Sequence, residues 1–312
     1  MYVRKNLVQL LQKASGFPIL RRNIMRNPEH NRLYERDELA INYSKLCPSY
    51  PTKLTDDIIE HLANKQGRIN KSRQFERMLD LGCGIGLSTK IFAPYFESIL
   101  GVDLSESQIH LAIWSNRDRN VAYKIINDHV LPVKNNSIDL LTCASSLQCL
   151  DLQKFEKECD RVLKSDGCCA VYTTNYKSIK NADIDDNGSE RHRVFLRDIV
   201  LKYFSDIDAH PRNVAALDGN LPIYEQLKTQ NKEWLQSIYY ERNMSLNQFK
   251  DIFRSYGDYE ILIKKRRSSV DPVETLGENI KIALNMEDIK DEDIKVCVEF
   301  EYPIFVFGKN MT

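Results

Sequence analysis

Three glycines at alternate positions, Gly82, Gly84 and Gly86, follow the run Met78-Leu79-Asp80-Leu81 and precede the helix-like Leu87-Ser88-Thr89-Lys90-Ile91-Phe92. A backbone without Cβ atoms turns sharply and lets a ligand approach closely, and the first amides of a following helix point into the same crevice. Strand, tight turn and helix in that order open a doubly wound nucleotide-binding fold. The spacing narrows the ligand. A dinucleotide fingerprint needs G-x-G-x-x-G, and its third glycine would fall at position 87, which is leucine, so a pyrophosphate cradle is disfavoured. Ser98-Ile99-Leu100-Gly101-Val102-Asp103 reads as a second apolar strand, with its closing carboxylate placed to take the two hydroxyls of a ribose. Asp128 follows Tyr123-Lys124-Ile125-Ile126-Asn127 at the end of a third strand, where it can accept from an exocyclic amine. An adenosine ligand is implied. Asp is also a favoured helix N-cap, which is the other use of either acid taken singly.

Behind these residues stand the elements that must position them. Ser137 to Ala144 reads as strand four, and Cys168 to Thr173 as strand five after the turn Lys164-Ser165-Asp166-Gly167. Alternation with helical segments implies a parallel sheet covered on both faces. The chain of 312 residues is long enough for one large α/β unit with an appended segment, and its 42% hydrophobic and 28% charged residues are those of a globular protein. Lys plus Arg number 44 and Asp plus Glu 44, so no overall field draws the chain to nucleic acid or to an anionic membrane. The longest apolar stretch, Leu140 to Leu150, carries Thr, two Ser and Gln, and membrane insertion is not expected.

Eight cysteines are scattered without a C-x-x-C pair, and the vicinal Cys168-Cys169 falls in an apolar run. That is the usage of a reducing compartment, with buried Cys acting as a small hydrophobe, and it offers no metal site. A cytoplasmic protein is expected. From Met1 to Pro28 there are six basic residues and no acid, and Val3, Leu7, Leu10, Leu11 and Ala14 recur at helical spacing. A mitochondrial transit peptide has this character, whereas a helix packed on the domain or a tail also accounts for it and for the want of serine richness. The polar stretch Asn175 to Arg193 reads as a surface loop after a strand.

Asp80-Leu81-Gly82-Cys83-Gly84-Ile85-Gly86 matches the D/E-x-G-x-G-x-G motif of class I S-adenosylmethionine-dependent methyltransferases, and the chain resembles that family. Gly101-Val102-Asp103-Leu104-Ser105 resembles its acidic ribose loop, Asn127-Asp128-His129-Val130-Leu131-Pro132 its adenine segment, and Arg161-Val162-Leu163-Lys164-Ser165-Asp166-Gly167 its RVLKPGG run. The resemblance implies a doubly wound, seven-stranded, mostly parallel sheet with a helical lid insertion after strand five. On that template residues 1–34 are an extension, 35–312 the methyltransferase domain and 175–259 the lid. S-adenosyl-L-methionine is the implied cofactor, held by Tyr43, Asp80, Gly82, Cys83, Gly84, Gly86, Asp103, Leu104, Gln108, Asp128, His129, Ala144 and Ser145. Asp80 would act through water on the methionine amino group or hold the glycine loop.

Tyr43 to Leu54 is similar to the Y-x-x-x-R-P-x-Y-P-x-x-L segment of a subgroup close to trans-aconitate and fungal cantharidin methyltransferases, with Cys47 in place of arginine. Tyr203-Phe204-Ser205-Asp206-Ile207 resembles a strand of that subgroup, Met244 to Tyr259 a helix, and Ile304 to Lys309 its final strand. Gln148-Cys149 replaces His-Trp. Gln148 can donate to a substrate carboxylate but cannot serve as a base. The implied activity is methyl transfer to a small organic molecule, most directly O-methylation of a carboxylic acid. Gln148, Trp234 and Tyr256 are the candidate substrate contacts. No catalytic residue is obligatory, because the sulfonium leaving group is already activated, and His129, His192 and His210 are surface or cofactor-adjacent rather than bases. On sequence alone, a quinone- or lipid-type methyltransferase and a methyltransferase-like binding protein without turnover stand beside this reading.

Overall fold

Met78-Leu79-Asp80-Leu81 is nearly continuous in apolar character, the mark of a strand covered on both faces, and it completes the central strand β1. The structure, a computed structural model, describes residues 50–68, 74–127, 130–184, 192–207, 209, 216–229, 231–265 and 270–310. The basic N-terminal segment with Tyr43 and Cys47, the pair Asp128 and His129, and His210 lie outside the described residues.

In chain order the core is α1 (Thr52–Lys65), β1 (Phe75–Leu81), β2 (Phe96–Asp103), α2 (Glu106–Ser115), β3 (Val121–Ile125), β4 (Ile138–Ala144), α3 (Leu152–Val162) and β5 (Leu163–Tyr172). There follow β6 (Asn175–Asn181), β7 (Val194–Phe195), α4 (Arg197–Asp206), α5 (Leu221–Gln226), β8 (Lys232–Trp234) and β9 (Ile238–Ser245). The chain closes with α6 (Leu246–Arg254), α7 (Gly257–Lys265), α8 (Pro272–Leu284), β10 (Lys295–Tyr302) and β11 (Ile304–Gly308).

The expected seven-stranded sheet is present, in the order β3-β2-β1-β4-β5-β11-β8. Neighbours from β3 to β5 pair in parallel, while β11 is antiparallel to both β5 and β8. Between β2 and β4 the strand order reverses around β1, and ligands of open α/β sheets bind outside the carboxyl ends of the strands at such a point. Leu54, Ile58, Ile59 and Leu62 recur at helical spacing and bury α1 against one face. Phe155, Cys159 and Val162 bury α3 against the other, its first turn capped by the Asp151 carboxylate. Cys143, Cys159, Cys168 and Cys169 are buried free thiols, and burial pushes that of Cys168 up to about 12.

Four expectations need correction. The helix read from Leu87 is a turn followed by a 3-10 helix, Lys90–Tyr95, with Pro94 inside, whose ring and missing N–H oppose a regular α-helix. The turn before strand five is a bulge within β5: Leu163 pairs with Ile138 and Cys168 with Leu140, so residues 164–167 loop out. Tyr203 to Ile207 is not a strand, since Val200, Tyr203 and Phe204 bury one face of α4. The segment after β5, expected to be helical over 175–259, is a mixture of strands and helices. Its first residues, read as a surface loop, form β6, and it builds a second sheet, β7-β6-β10-β9, whose antiparallel strands reach Tyr302. Helices α4, α6 and α8 bury Tyr203, Phe249, Phe253 and Ile280 in a core continuous with that under β1. Ser245 starts α6 with a reciprocal cap to Gln248.

Candidate functional site

The three glycines turn with φ of +72°, +54° and +82° at Gly82, Gly84 and Gly86, values that L side chains rarely adopt. A Cβ on Gly84 would lie 2.5 Å from Gln108 Oε1, so the backbone there is approached as closely as only glycine allows. Beneath the turn Asp80 is fully buried and accepts from Ser88 Oγ (2.7 Å), Thr89 Oγ1 (2.6 Å) and Thr142 Oγ1 (2.8 Å). Its carboxylate is engaged in holding the loop, the second of the two roles open to it. Burial pushes the Asp80 carboxyl up, and the three hydroxyls oppose the shift.

At the end of β2, Asp103 accepts from Gly84 N (2.9 Å) with one oxygen and from Ser105 N (2.9 Å) with the other. Burial raises this carboxyl too, against the backbone N–H groups of Ser105, Gly84 and Leu104. Ser105 then caps α2. After β4, Ser145 takes φ +50°, a conformation costing a non-glycine residue on the order of 1 kcal/mol. It is held there by Ser145 N donating to Tyr172 O (2.8 Å) and by Gln148 Nε2 donating to Ser145 O (2.8 Å). Gln148, expected to donate to a substrate, therefore braces this loop. Ser146 Oγ ties the same loop to Leu81 O at 2.8 Å.

These pieces open on one cavity of about 370 Å³. Of the predicted residues, Gly82, Cys83, Gly84, Asp103, Leu104, Gln108, Ala144, Ser145, Gln148 and Tyr256 line it. Asp80 and Gly86 lie beneath, the latter facing the Tyr123 ring. Trp234, expected at the substrate, is elsewhere: it belongs to β8 and packs on Tyr224 and Phe305, with ring centroids 5.1 and 5.5 Å away. Residues not among the predicted contacts also line it, namely Tyr50, Tyr176, Phe204 and Asp258. Tyr176 and Tyr256 join hydroxyls at 2.7 Å. No histidine of the described residues lines the cavity, and His192 is exposed.

The comparisons fall on the same framework. A family model described as a methyltransferase domain matches residues 79–171, from within β1 to the end of β5, and so contains the glycine turn and Asp103. A Saccharomyces cerevisiae protein named as a probable S-adenosylmethionine-dependent methyltransferase, CRG1, is 23% identical over 90% of this chain and 98% of its own length. These likenesses support an S-adenosylmethionine-dependent methyltransferase. A candidate methyltransferase of Dictyostelium discoideum is 22% identical over 86% of this methyltransferase and 91% of that protein. Among solved structures, a candidate type II methyltransferase of Anaeromyxobacter dehalogenans shares the fold, with a TM-score of 0.57 and 20% identity over 84% of this chain and 97% of that one.

The site fits the donor of this methyltransferase family. Asp103 presents to the cavity a half-buried carboxylate that can accept from hydroxyls, the glycine turn leaves room a Cβ would fill, and Leu131 lines the cavity beyond Asn127. That last segment is clipped to α3. Arg161 donates to Leu131 O (2.9 Å) and Val133 O (2.9 Å), and Glu158 accepts from Leu131 N (2.7 Å) and from Arg161 Nη2 (2.6 Å). The Arg161 hydrogen bond holds the Glu158 carboxyl below its usual range, so the clip contributes fully at neutral pH and is lost as acid protonates Glu158. Arg161→Met is expected to weaken S-adenosylhomocysteine binding about tenfold, roughly 1.4 kcal/mol, by freeing Leu131, which lines the cavity. Calorimetric affinity equal to that of the unmodified chain would show that the clip has no part in donor binding.

Proposed function

We propose that this methyltransferase transfers the methyl group of S-adenosylmethionine to a small organic molecule held at the aromatic end of the cavity. The observation that carries the reading is continuity: one cavity runs from Gly84 and Asp103 to Tyr176, Phe204 and Tyr256. The donor, when bound, supplies a methyl group already activated by positively charged sulfur. What remains for the chain is to align an acceptor and exclude water. Asp103 and the glycine turn would hold the nucleoside, the braced Ser145 loop would bound the transfer region, and the aromatic residues would shape the acceptor's seat.

O-methylation of a carboxylic acid is the finer reading, supported by the sequence likeness to trans-aconitate and cantharidin methyltransferases. Its chemistry is feasible here, since a carboxylate reacts without a base and the Tyr176 and Tyr256 hydroxyls can donate to it. Incubation with methyl-labelled S-adenosylmethionine and a fractionated metabolite extract tests the proposal. Label is expected in a small-molecule fraction, dependent on the protein; label confined to macromolecules would sink it.

A further inference from the structure

The cavity wall changes character along its length. Asp103, the last residue of β2, marks the nucleoside end, and the strand order β2-β1-β4-β5 carries the wall from there to Thr173, the residue after β5. Neighbouring strands lie about 4.8 Å apart, so the three spacings in that order separate the two by about 14 Å. In S-adenosylmethionine a single methylene joins sulfur to the ribose ring. A group at the end of β5 is therefore placed for the acceptor rather than for the ribose. Hydroxyls stand there. Ser145 follows β4 and Thr173 follows β5, their Oγ and Oγ1 atoms 3.3 Å apart, and with Thr174 they line the cavity. In such a pair one proton is spent between the two oxygens, whichever donates, and the other is left to donate elsewhere. Ser145 is kept beside Thr173 at φ +50° by the brace from Gln148. Two residues beyond Thr174, Tyr176 in β6 begins the aromatic wall that Phe204 and Tyr256 continue.

From this juxtaposition we infer that Ser145, Thr173 and Thr174 position the carboxylate of the acceptor, with its apolar body against the rings. The inference rests on the carboxylic acid reading above and names the residues that would select for it. An ionised carboxylate only accepts hydrogen bonds, and hydroxyls can supply the donors without a counter-charge. An arginine fork would engage both oxygens at once, whereas separate hydroxyls can hold one and leave the other to react. That second oxygen forms the O–C bond as the C–S bond breaks and its electron pair stays on sulfur. A negative carboxylate and a positive sulfonium become a neutral ester and a neutral thioether, and no proton has to move. What the hydroxyls contribute is orientation, keeping the reacting oxygen toward the donor.

The test is calorimetry on the full chain saturated with S-adenosylhomocysteine, with 3-phenylpropanoate, a carboxylate on an aromatic body, as the probe. Thr174→Val exchanges the hydroxyl for a methyl of similar shape and is expected to weaken probe binding about tenfold, the scale of one hydrogen bond to a charged group. Thr174→Ser, which restores the hydroxyl, should recover most of that loss. Thr173→Val should weaken the probe to a similar degree, and the half-buried Thr174 decides the matter if the change at the buried Thr173 prevents folding. S-adenosylhomocysteine itself should bind Thr174→Val within about twofold of its affinity for the unmodified chain. Probe affinity unchanged in the folded valine variants would overturn the inference and leave the carboxylic acid reading standing. A loss of S-adenosylhomocysteine affinity in Thr174→Val, with none for 5'-methylthioadenosine, which lacks the amino acid end, would place the hydroxyl at the donor's tail and overturn the inference too. Failure of the unmodified chain to bind the probe would overturn the carboxylic acid reading and the inference with it.

Discussion

Asp103→Ala is expected to lower S-adenosylmethionine affinity at least about 100-fold while the fold persists, because hydrogen bonds to a charged group contribute roughly 1.5–3 kcal/mol each and a ribose offers two hydroxyls. The carboxylate also orders what surrounds it. With it gone, Gly84 N and Ser105 N lose their acceptor, and the backbone at the glycine turn is no longer set for close approach. Stability should change much less than affinity. An ionised carboxylate held in this setting is penalised by burial, so its removal relieves desolvation even as two N–H bonds are lost. The raised Asp103 carboxyl gives a second signature. Its ionised form is the one that accepts from ribose, so donor affinity should weaken on acidification at a higher pH than an ordinary aspartate would dictate. Calorimetry across pH measures both effects. Unchanged affinity in Asp103→Ala would remove the ribose assignment, and with it the reason for reading this crevice as an adenosyl site.

The half of the molecule that carries this carboxylate could be read from the chain because its information is local. β1 runs where the apolar stretch and the glycine turn bracket it, and Asp103, Ala144 and Ser145 lie at the carboxyl ends of β2 and β4, the strands on either side of it. A parallel sheet with a fixed strand order brings such ends together without any knowledge of side-chain contacts. The other half depends on pairings far apart in sequence. β6 is held by β10, with Ile179 against Val298, and nothing within Asn175 to Asn181 announces a partner more than a hundred residues away. Aromatic residues after β5 had to be buried, but composition cannot tell which of them faces a ligand. Trp234 returns to the main sheet, whereas Tyr176 and Phe204, from a strand and a helix, reach the cavity. Gln148 shows the same limit at one residue: its type permitted a bond to substrate, and the fold directs its amide to Ser145.

Asp80→Ala is expected to be the most destabilising single change in the glycine turn, by about 3–5 kcal/mol, the range for removing one partner from a buried charged network. The three hydroxyls that converge on this carboxylate, from Ser88, Thr89 and Thr142, are themselves at most 4% exposed. Without it they are left buried and short of an acceptor, and an alanine methyl fills little of the space. A fall in Tm on the order of 10 °C follows for a chain of this size. Asp80→Asn keeps the shape and one acceptor oxygen, and should cost about 1–2 kcal/mol. The pH dependence separates this account from simple cavity formation. Burial, the larger influence, holds the Asp80 carboxyl above its unfolded range, so its stabilising contribution is whole below that range and declines as pH rises through the raised folded value. The stability gap between the unmodified chain and Asp80→Ala, measured by denaturant unfolding, should therefore be wider at acid pH than at neutral pH. A gap that narrows on acidification would mean that the hydroxyls outweigh burial and hold the carboxylate ionised, and a gap that stays constant would leave only the lost volume to explain the damage.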